Sequence, residues 1–316
     1  MIRFGVCSLE DLYANRLSDA FGKEKNISIE LYEELFHNDA PSASEYQEIV
    51  LSRFKCGQVF KRTHLQRFSE FDTATLSAVQ KQFRQARNEL LAVHDLAASD
   101  GRTSLELYHQ LINLFNDGFS FLATDVLPWV YSVGKPSERL RVITDDGGRT
   151  MEIVYPPFVF NLARQESKFY WINKVLVKRL QKEAATLSAL FVQRSSEVRA
   201  RKISLIHKKC RELSERGGNF SFEQYNVLEP INRRFDMVRA MNILNPGYFN
   251  QREISRILES VFSSLRAGGL FVTGSNEGRE SGVEGGIYLR AEAGFHLLFA
   301  SGSGSCVHEA IARFNR

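Results

Sequence analysis

The chain has 316 residues, of which 43% are hydrophobic and 25% are charged, and its formal net charge at pH 7 is +4. These proportions are ordinary for a globular protein and exclude collagen-like, low-complexity and largely disordered chains. The length exceeds that of a typical single domain, so we expect one elaborated domain or a domain with an appendage. No uninterrupted apolar run of about 18 residues is present. Because Glu10 and Asp11 also interrupt the start of the chain, we expect a cytoplasmic protein without a secretory leader.

Residues 1–88 are predicted to form an N-terminal helical extension. Within it, Ile29, Tyr32 and Leu35 recur at helical spacing and share one face of a helix. A break rich in Pro and Ser precedes a second amphipathic stretch, and helix formers continue through residues 71–91. The pattern then changes its period, which marks the start of a different domain.

A strand–helix–strand unit follows this extension. The short apolar run 90–94 ends at Asp95, and a helix is predicted from about Thr103. A second apolar run, residues 119–124, ends at Asp125. Such a unit has two parallel strands, and here each strand ends in an acidic side chain.

An insert at about residues 131–217 interrupts the alternation of strands and helices. Two alternating segments, 139–144 and 150–155, flank the sequence Asp-Asp-Gly-Gly and predict a hairpin. From residue 167 to residue 216 apolar side chains recur every three or four positions, which predicts a long helix. The insert is therefore expected to consist of a hairpin and helices.

The remaining sequence returns to short buried strands. The predicted strands are residues 220–225, 235–244 and 269–273, with a helix over about 251–265 and a closing antiparallel hairpin from 286–290 and 295–300. The fold class is therefore α/β. We expect a Rossmann-like, seven-stranded, mostly parallel sheet over residues 89–316, with an antiparallel C-terminal hairpin, the N-terminal helical extension and the insert.

The turn between the first strand and its helix, residues 94–104, is poor in glycine. Small side chains there permit close approach of a ligand, but Gly101 is the only glycine. The glycine-rich pattern that binds a pyrophosphate is missing, and no P-loop follows the strand, so a nicotinamide oxidoreductase is disfavoured. A nucleoside with a cationic, amino-acid-like arm fits better. Asp95 would face its ammonium group, and Asp125 would accept hydrogen bonds from its ribose hydroxyls.

These residues resemble class I S-adenosylmethionine-dependent methyltransferases, and distantly the chemotaxis-receptor methyltransferase group. The family's first motif, Asp-x-Gly-x-Gly-x-Gly, is similar to residues 95–101, with Ala97 and Ser99 in place of two glycines. Asp125 falls where the family keeps its ribose-binding acid. Three further segments are similar in the expected order, namely the adenine segment at 222–228, the fourth strand at 234–244 and the fifth-strand turn at 265–272.

The resemblance implies a methyltransferase that uses S-adenosylmethionine. It implies cofactor contacts from Asp95, Ala97, Ala98, Ser99, Gly101, Thr103, Ser104, Asp125, Val126, Asn226, Val227 and Asn242. Asn242 and Tyr248 follow the fourth strand, where ligands gather in such sheets, and they are the candidate catalytic residues. A loop-capping Asn and a Pro-Gly turn are the structural alternatives for this pair. The methyl acceptor is left open. No metal site is expected, because the histidines and the four cysteines lack metal-ligand spacing.

The mild net charge hides a strongly basic insert. Between Phe160 and Gly217 there are 14 Lys and Arg residues against 5 Asp and Glu residues. Residues 168–216 are predicted to meet an anionic membrane surface or an acidic partner, with nucleic acid less favoured because no RNA-binding motif is present. A helical hairpin with a solvated basic face is the structural alternative. An alternative function is therefore a catalytically inactive methyltransferase-fold module that docks through this insert, which would place the protein at the periphery of a membrane.

Overall fold

The computed structural model describes residues 1–14, 25–37, 43–56, 59–61, 65–83, 90–163, 168–276 and 282–314. The chain divides into two compact units. The N-terminal unit comprises Met1–Arg62 and Trp129–Leu205, and the parallel-sheet unit comprises Thr63–Pro128 and Ile206–Arg316.

The described part of the chain contains both helices and strands. The helices are α1 (Leu9–Ala14), α2 (Glu30–Glu34), α3 (Ala43–Arg53), α4 (Ser69–Phe83), α5 (Arg102–Phe115), α6 (Trp171–Val192), α7 (Lys208–Glu215), α8 (Gln251–Ser264) and α9 (His308–Arg313), with 3-10 turns at Leu35–His37 and Lys168–Tyr170. The strands are β1 (Lys55–Cys56), β2 (Val59–Phe60), β3 (Leu91–Leu96), β4 (Phe119–Asp125), β5 (Trp129–Gly134), β6 (Arg141–Thr144), β7 (Thr150–Tyr155), β8 (Phe158–Asn161), β9 (Arg199–Ser204), β10 (Phe220–Gln224), β11 (Phe235–Met241), β12 (Leu265–Ser275), β13 (Glu284–Arg290) and β14 (Phe295–Ser301).

The parallel-sheet unit contains a seven-stranded sheet in the order β10-β4-β3-β11-β12-β13-β14. The first five strands are parallel, and β13 runs antiparallel to both β12 and β14. This arrangement confirms the predicted Rossmann-like, mostly parallel sheet with its antiparallel C-terminal hairpin. Because β3 and β4 run in the same direction in register from Leu91 opposite Phe119, their acidic ends meet at one edge of the sheet.

The central strand β11 shows why the sheet forms here. All seven of its residues are buried, as expected for a strand covered on both faces. Met237 and Met241 pack on the face covered by α4 and α5, whereas Val238 and Ala240 pack on the face covered by α8 and α9. Alternation along the strand places Arg239 on the α4 face, in the middle of an apolar core.

The N-terminal unit contains an antiparallel sheet of five strands in the order β8-β7-β6-β5-β9. The helix α6 packs on one face through Leu180, Ala184 and Leu187. The predicted hairpin corresponds to β6 and β7. The predicted long helix over 167–216 is wrong as a single element, because α6 ends at Val192 and a separate helix, α7, occupies Lys208–Glu215. Residues 199–204 form the edge strand β9, in which Ser204 is opposite Trp129 of β5. Pairing with a distant strand thus overrides the local helical pattern.

The unit boundaries also differ from the expected extension at 1–88 and insert at about 131–217. Residues 1–62 belong with the insert because Glu30 accepts hydrogen bonds from Ser132 and from Arg141, the latter at 2.9 Å. The helix α4, by contrast, belongs to the parallel-sheet unit. The end of the predicted helical segment, residues 84–89, lies outside the described residues, as do residues 164–167 of the insert.

Candidate functional site

The candidate site lies at the carboxyl ends of β3, β4, β11 and β12. In open sheets with parallel strands, ligands bind in the crevice at this edge. The loop that joins β3 to α5 is the centre of the site. Its amide groups hold it to the neighbouring strand, because Ala98 donates a 2.8 Å hydrogen bond to the carbonyl of Thr124.

The backbone of this loop adopts left-handed angles at alternate residues. Ala97, Ser99 and Gly101 have φ values of +56°, +59° and +85°. These are the three positions at which the resembled family has glycine. Left-handed angles cost residues with a side chain about 1–2 kcal/mol each. The loop thus has a glycine-type backbone at two positions that are occupied by Ala and Ser.

The third position, Gly101, has little room for a side chain. A Cβ atom at Gly101 would lie 3.0 Å from Cys210 Sγ and 3.0 Å from a ring carbon of Phe222. At Ser99, by contrast, the fold accommodates a side chain. The hydroxyl of Ser99 is buried, and within the described part of the chain it has no hydrogen-bond partner. A buried polar atom of this kind normally pairs with another group or with a ligand.

Asp125, at the end of β4, is fixed by backbone amides on both sides. One carboxylate oxygen accepts a 2.9 Å hydrogen bond from the amide of Ser99, and the other accepts one of 2.9 Å from Leu127. The carbonyl of Asp125 accepts the amide of Tyr225, which brings the segment after β10 beside it. A carboxylate oxygen can accept more than one hydrogen bond, so this geometry suits a ligand with neighbouring hydroxyl groups.

Asp95, at the end of β3, is buried and forms an ion pair with a guanidinium group of the protein. Its carboxylate accepts hydrogen bonds from Ser104 Oγ at 2.7 Å and from Arg239 at 2.9 Å. The same guanidinium binds both carboxylate oxygens of Asp72 of α4, at 3.0 and 3.1 Å. Burial raises the pKa of Asp72 to about 6, although Arg239 acts in the opposite direction. We call Asp72, Asp95 and Arg239 the buried ion cluster, which holds two acids and one base.

Arg239 and Asp72 were not predicted as site residues from the sequence. A signal for Arg239 was present, because a charged residue in the middle of an apolar strand requires a buried partner. The partner itself could not be identified, since Asp72 is 167 positions away in the chain.

Asn242 follows β11 and is held in one orientation. It has φ +57°, and its amide group exchanges two hydrogen bonds of 2.9 Å with Asn276 after β12. The side chain of Asn276 also accepts a 2.9 Å hydrogen bond from Arg67 Nε. Asn242 therefore joins the ends of two strands, as the loop-capping alternative expects, and it lies at the edge where ligands bind.

The remaining predicted site residues lie in several different segments around this edge of the sheet. Thr103 is buried at the start of α5, and Val126 next to Asp125 is 53% exposed. Asn226 accepts a 3.1 Å hydrogen bond from the amide of Leu228, and Val227 packs against the α8 side of the core. Tyr248 is half-buried in the loop before α8, where its amide donates to Asn245.

His94 precedes Asp95 but has the environment of a core residue. It is packed against the rings of Phe235 and Tyr225, and its Nε2 lies 3.0 Å from Thr124 Oγ1. Burial, with a smaller effect of Arg233, lowers the pKa of His94 to about 3, so the ring is neutral. Within the described ranges, no group of His, Cys, Asp and Glu side chains is arranged to hold a metal ion.

Comparisons with known proteins give no match to a family model or to a curated protein. Solved structures with a similar arrangement include an N-methyltransferase, NodS, from Bradyrhizobium japonicum WM9 in complex with S-adenosyl-L-homocysteine, which is 11% identical over 78% of this chain and 71% of its own, with a TM-score of 0.31. A magnesium protoporphyrin IX methyltransferase from Synechocystis PCC 6803 with bound SAM is 11% identical over 78% and 74%, with a TM-score of 0.30. An S-adenosylmethionine-dependent methyltransferase from Clostridium acetobutylicum ATCC 824 is 12% identical over 66% of this chain and half of its own, with a TM-score of 0.30.

Proposed function

We propose that the protein is an S-adenosylmethionine-dependent methyltransferase. The observation that carries the proposal is the loop between β3 and α5. Its left-handed backbone at Ala97, Ser99 and Gly101, together with the bond from the Ser99 amide to Asp125, is a preformed nucleoside site at the carboxyl edge of the sheet. The adenosyl end of the cofactor fits these residues. Asp125 would accept the ribose hydroxyls, and the buried Ser99 hydroxyl would gain a partner.

The cationic end of the cofactor fits the buried ion cluster. Its two carboxylates share one guanidinium, so the cluster carries one excess negative charge when Asp72 and Asp95 are ionised. Negative charge in a buried region favours a cationic ligand over a neutral one. When bound, S-adenosylmethionine supplies a methyl group activated by the positive sulfonium. The protein then has to orient the acceptor and exclude water.

Asn242 is proposed to orient the acceptor. Its amide is fixed by Asn276, so little conformational entropy is lost when it binds a substrate. Tyr248 is the second candidate, from the loop between β11 and α8. A general base is needed only if the acceptor atom keeps its proton at neutral pH.

A second candidate function is a module that binds a ligand without transferring a methyl group. The observation that favours it is the ion pair between Asp95 and Arg239, since the acid that would meet the ligand's ammonium already has a cationic partner. In this case the fold would retain nucleoside binding but not turnover.

Titration calorimetry with S-adenosylmethionine, S-adenosylhomocysteine and adenosine tests these proposals. Methyltransferase function predicts binding of the first two ligands in the micromolar range and transfer of a labelled methyl group to a substrate pool. Binding without transfer would favour the non-catalytic module. If none of the three ligands binds at high micromolar concentration, the proposal of a nucleoside site is wrong.

A further inference from the structure

The first turns of α6 expose large apolar side chains. Trp171 and Val175 are 59% and 58% exposed, and Phe169 in the preceding turn is 56% exposed. Large apolar side chains are normally buried at least in part, so three exposed ones close together in sequence need an explanation.

The start of the chain adds to this exposed surface. The side chain of Asn173 in α6 accepts a 2.8 Å hydrogen bond from the amide of Arg3 and donates one of 2.8 Å to its carbonyl. The Arg3 guanidinium lies 4.8 Å from the centre of the Tyr170 ring. These contacts fix the neighbouring residues Met1, Ile2 and Phe4, which are also exposed. Two distant segments thus form one surface, which we call the aromatic patch: Met1, Ile2, Phe4, Phe169, Trp171 and Val175.

Basic side chains surround the aromatic patch. Lys174, Lys178 and Lys182 are exposed on α6. Lys174 and Lys178 follow Trp171 by three and seven positions, and Lys182 follows Val175 by seven, so they share the outer face of the helix. Arg3, Lys168 and Arg179 add three more cations. Neither residues 1–8 nor residues 168–182 contain an acidic residue. The opposite face of α6 packs on the five-stranded sheet, so the basic and aromatic side chains point away from the core.

We propose that this face of α6 docks onto an anionic lipid surface. Aromatic and aliphatic side chains that enter the interface, flanked by lysines that meet acidic headgroups, are typical of helices that lie in the plane of a membrane. An acidic protein would satisfy the lysines and arginines but leave six exposed apolar residues unexplained. Within the described residues, no helix combines the length and apolar character needed to cross a bilayer. The docking does not depend on the proposed methyltransferase activity.

The chain offers a direct probe of this contact, because it contains only two tryptophans. Trp129 is covered by Lys202, whose Nζ lies 3.7 Å from the ring centre. In the variant Trp129→Phe, Trp171 is the sole tryptophan. We expect its emission to shift to shorter wavelength, and to be quenched by brominated lipid, with vesicles that contain phosphatidylserine but not with pure phosphatidylcholine.

Sedimentation with the same vesicles, using the full chain, measures the strength of docking. The charge reversal Lys174→Glu with Lys178→Glu is expected to weaken partitioning about 30-fold or more, since each cation contributes at a membrane surface. Removing the aromatic rings in Phe169→Ala with Trp171→Ala is expected to weaken it about tenfold. The matched control is Arg252→Glu with Arg256→Glu on exposed positions of α8, which lowers the formal net charge from +4 by the same amount.

Three outcomes would overturn the proposal. The first is equal binding to neutral and anionic vesicles. The second is sedimentation without any change in Trp171 emission, which would show that another surface makes the contact. The third is binding to an acidic polypeptide such as polyglutamate with no binding to vesicles, which would identify the basic face as a protein-docking site.

Discussion

Arg239 donates a 2.9 Å hydrogen bond to Asp95 from the middle of a strand whose residues are all buried. The pair lies between the apolar core and the candidate site. It determines both how much charge the site presents to a ligand and how the end of β3 is held in place.

Replacing Arg239 with Met should destabilise the protein strongly. The variant Arg239→Met leaves Asp72 and Asp95 buried without their cation, and breaking a buried pair in this way costs about 3–5 kcal/mol of unfolding free energy. Urea unfolding followed by circular dichroism measures the loss. The deficit should shrink as the pH falls through about 6, because burial raises the pKa of Asp72 to about 6 even with Arg239 present, and the protonated carboxyl no longer needs its cation.

The control for this prediction is Arg313→Met, since Arg313 forms an exposed pair with Glu309 at 3.4 Å. Exposed pairs contribute about 0–1 kcal/mol, so the control should be nearly neutral. Equal effects of the two substitutions would mean that the buried ion cluster does not stabilise the parallel-sheet unit.

Replacing Asp125 with Ala should weaken nucleoside binding. Loss of hydrogen bonds to ribose hydroxyls predicts that the free energy of binding S-adenosylhomocysteine falls by about 1–3 kcal/mol. Calorimetric titration measures this change, and Asp117→Ala is the matched control because Asp117 is exposed just before the opposite end of β4. Asp125 also holds the amides of Ser99 and Leu127, so thermal unfolding of each variant is measured in parallel. Unchanged affinity in a folded Asp125→Ala protein would refute this placement of the ribose.

Introducing glycine at residue 97 should be tolerated or stabilising. Ala97 has φ +56°, a backbone conformation that strains a residue with a side chain by about 1 kcal/mol. Glycine removes this strain from the folded state, but it also raises the conformational entropy of the unfolded chain, which offsets a comparable free energy. Ala97→Gly is therefore expected to leave the free energy of unfolding unchanged or to raise it by up to about 1 kcal/mol. Ala185→Gly, at an exposed position in α6, should instead destabilise by about 1 kcal/mol. An equal loss of unfolding free energy in both variants would contradict the left-handed conformation of Ala97.

The N-terminal unit should lose stability as the pH rises, because of Glu152. This residue is fully buried on β7, and its burial raises the pKa from 4.5 to about 8, while bonds from Ile29 and Ser28 act in the opposite direction. The folded state therefore holds a proton that the unfolded chain releases, so the free energy of unfolding falls between about pH 4.5 and pH 8. Glu152→Gln keeps the shape without the charge. It should unfold less easily than the original protein at pH 8, by about 1–4 kcal/mol, and differ little at pH 4.5.

Tryptophan fluorescence is the suitable measurement for Glu152→Gln, because both tryptophans belong to the N-terminal unit. Glu183→Gln on the exposed surface of α6 serves as the control and should have no pH-dependent effect. A difference between Glu152→Gln and the original protein that is the same at every pH would contradict a raised pKa.

The parallel sheet could be predicted from the sequence because its information is local. Short apolar runs that end in Asp95 and Asp125 indicate buried strands and the edge at which they finish. The strand β9 could not be predicted, since its residues 199–202 are exposed, three of these four are basic, and its pairing partner β5 lies about seventy positions earlier. Nothing in the local pattern records such a pairing.

The candidate site was likewise predictable only in part. The loop position and its acids follow from the order of strands, whereas the left-handed angles at Ala97 and Ser99 contradict the preferences of those residues. The link from Arg239 to Asp72 joins a strand to a helix that the sequence placed in a separate extension. Long-range ion pairs of this kind depend on tertiary packing, and a single sequence does not encode their partners in any visible pattern.

The register of β5 and β9 has a consequence for how the chain reaches its native state. Trp129 and Ser204 are direct partners in that sheet, so a detour of more than seventy residues begins and ends at one place. Once this pair has formed, β4 and α7 are joined as though by a short connection. The loop that remains to be closed before β10 can pair with β4 is then short. Its closure therefore costs less entropy than closure of the whole intervening segment would. An insertion whose first and last strands pair with each other lengthens the chain. It does not increase the effective sequence separation between the strands of the sheet that it interrupts.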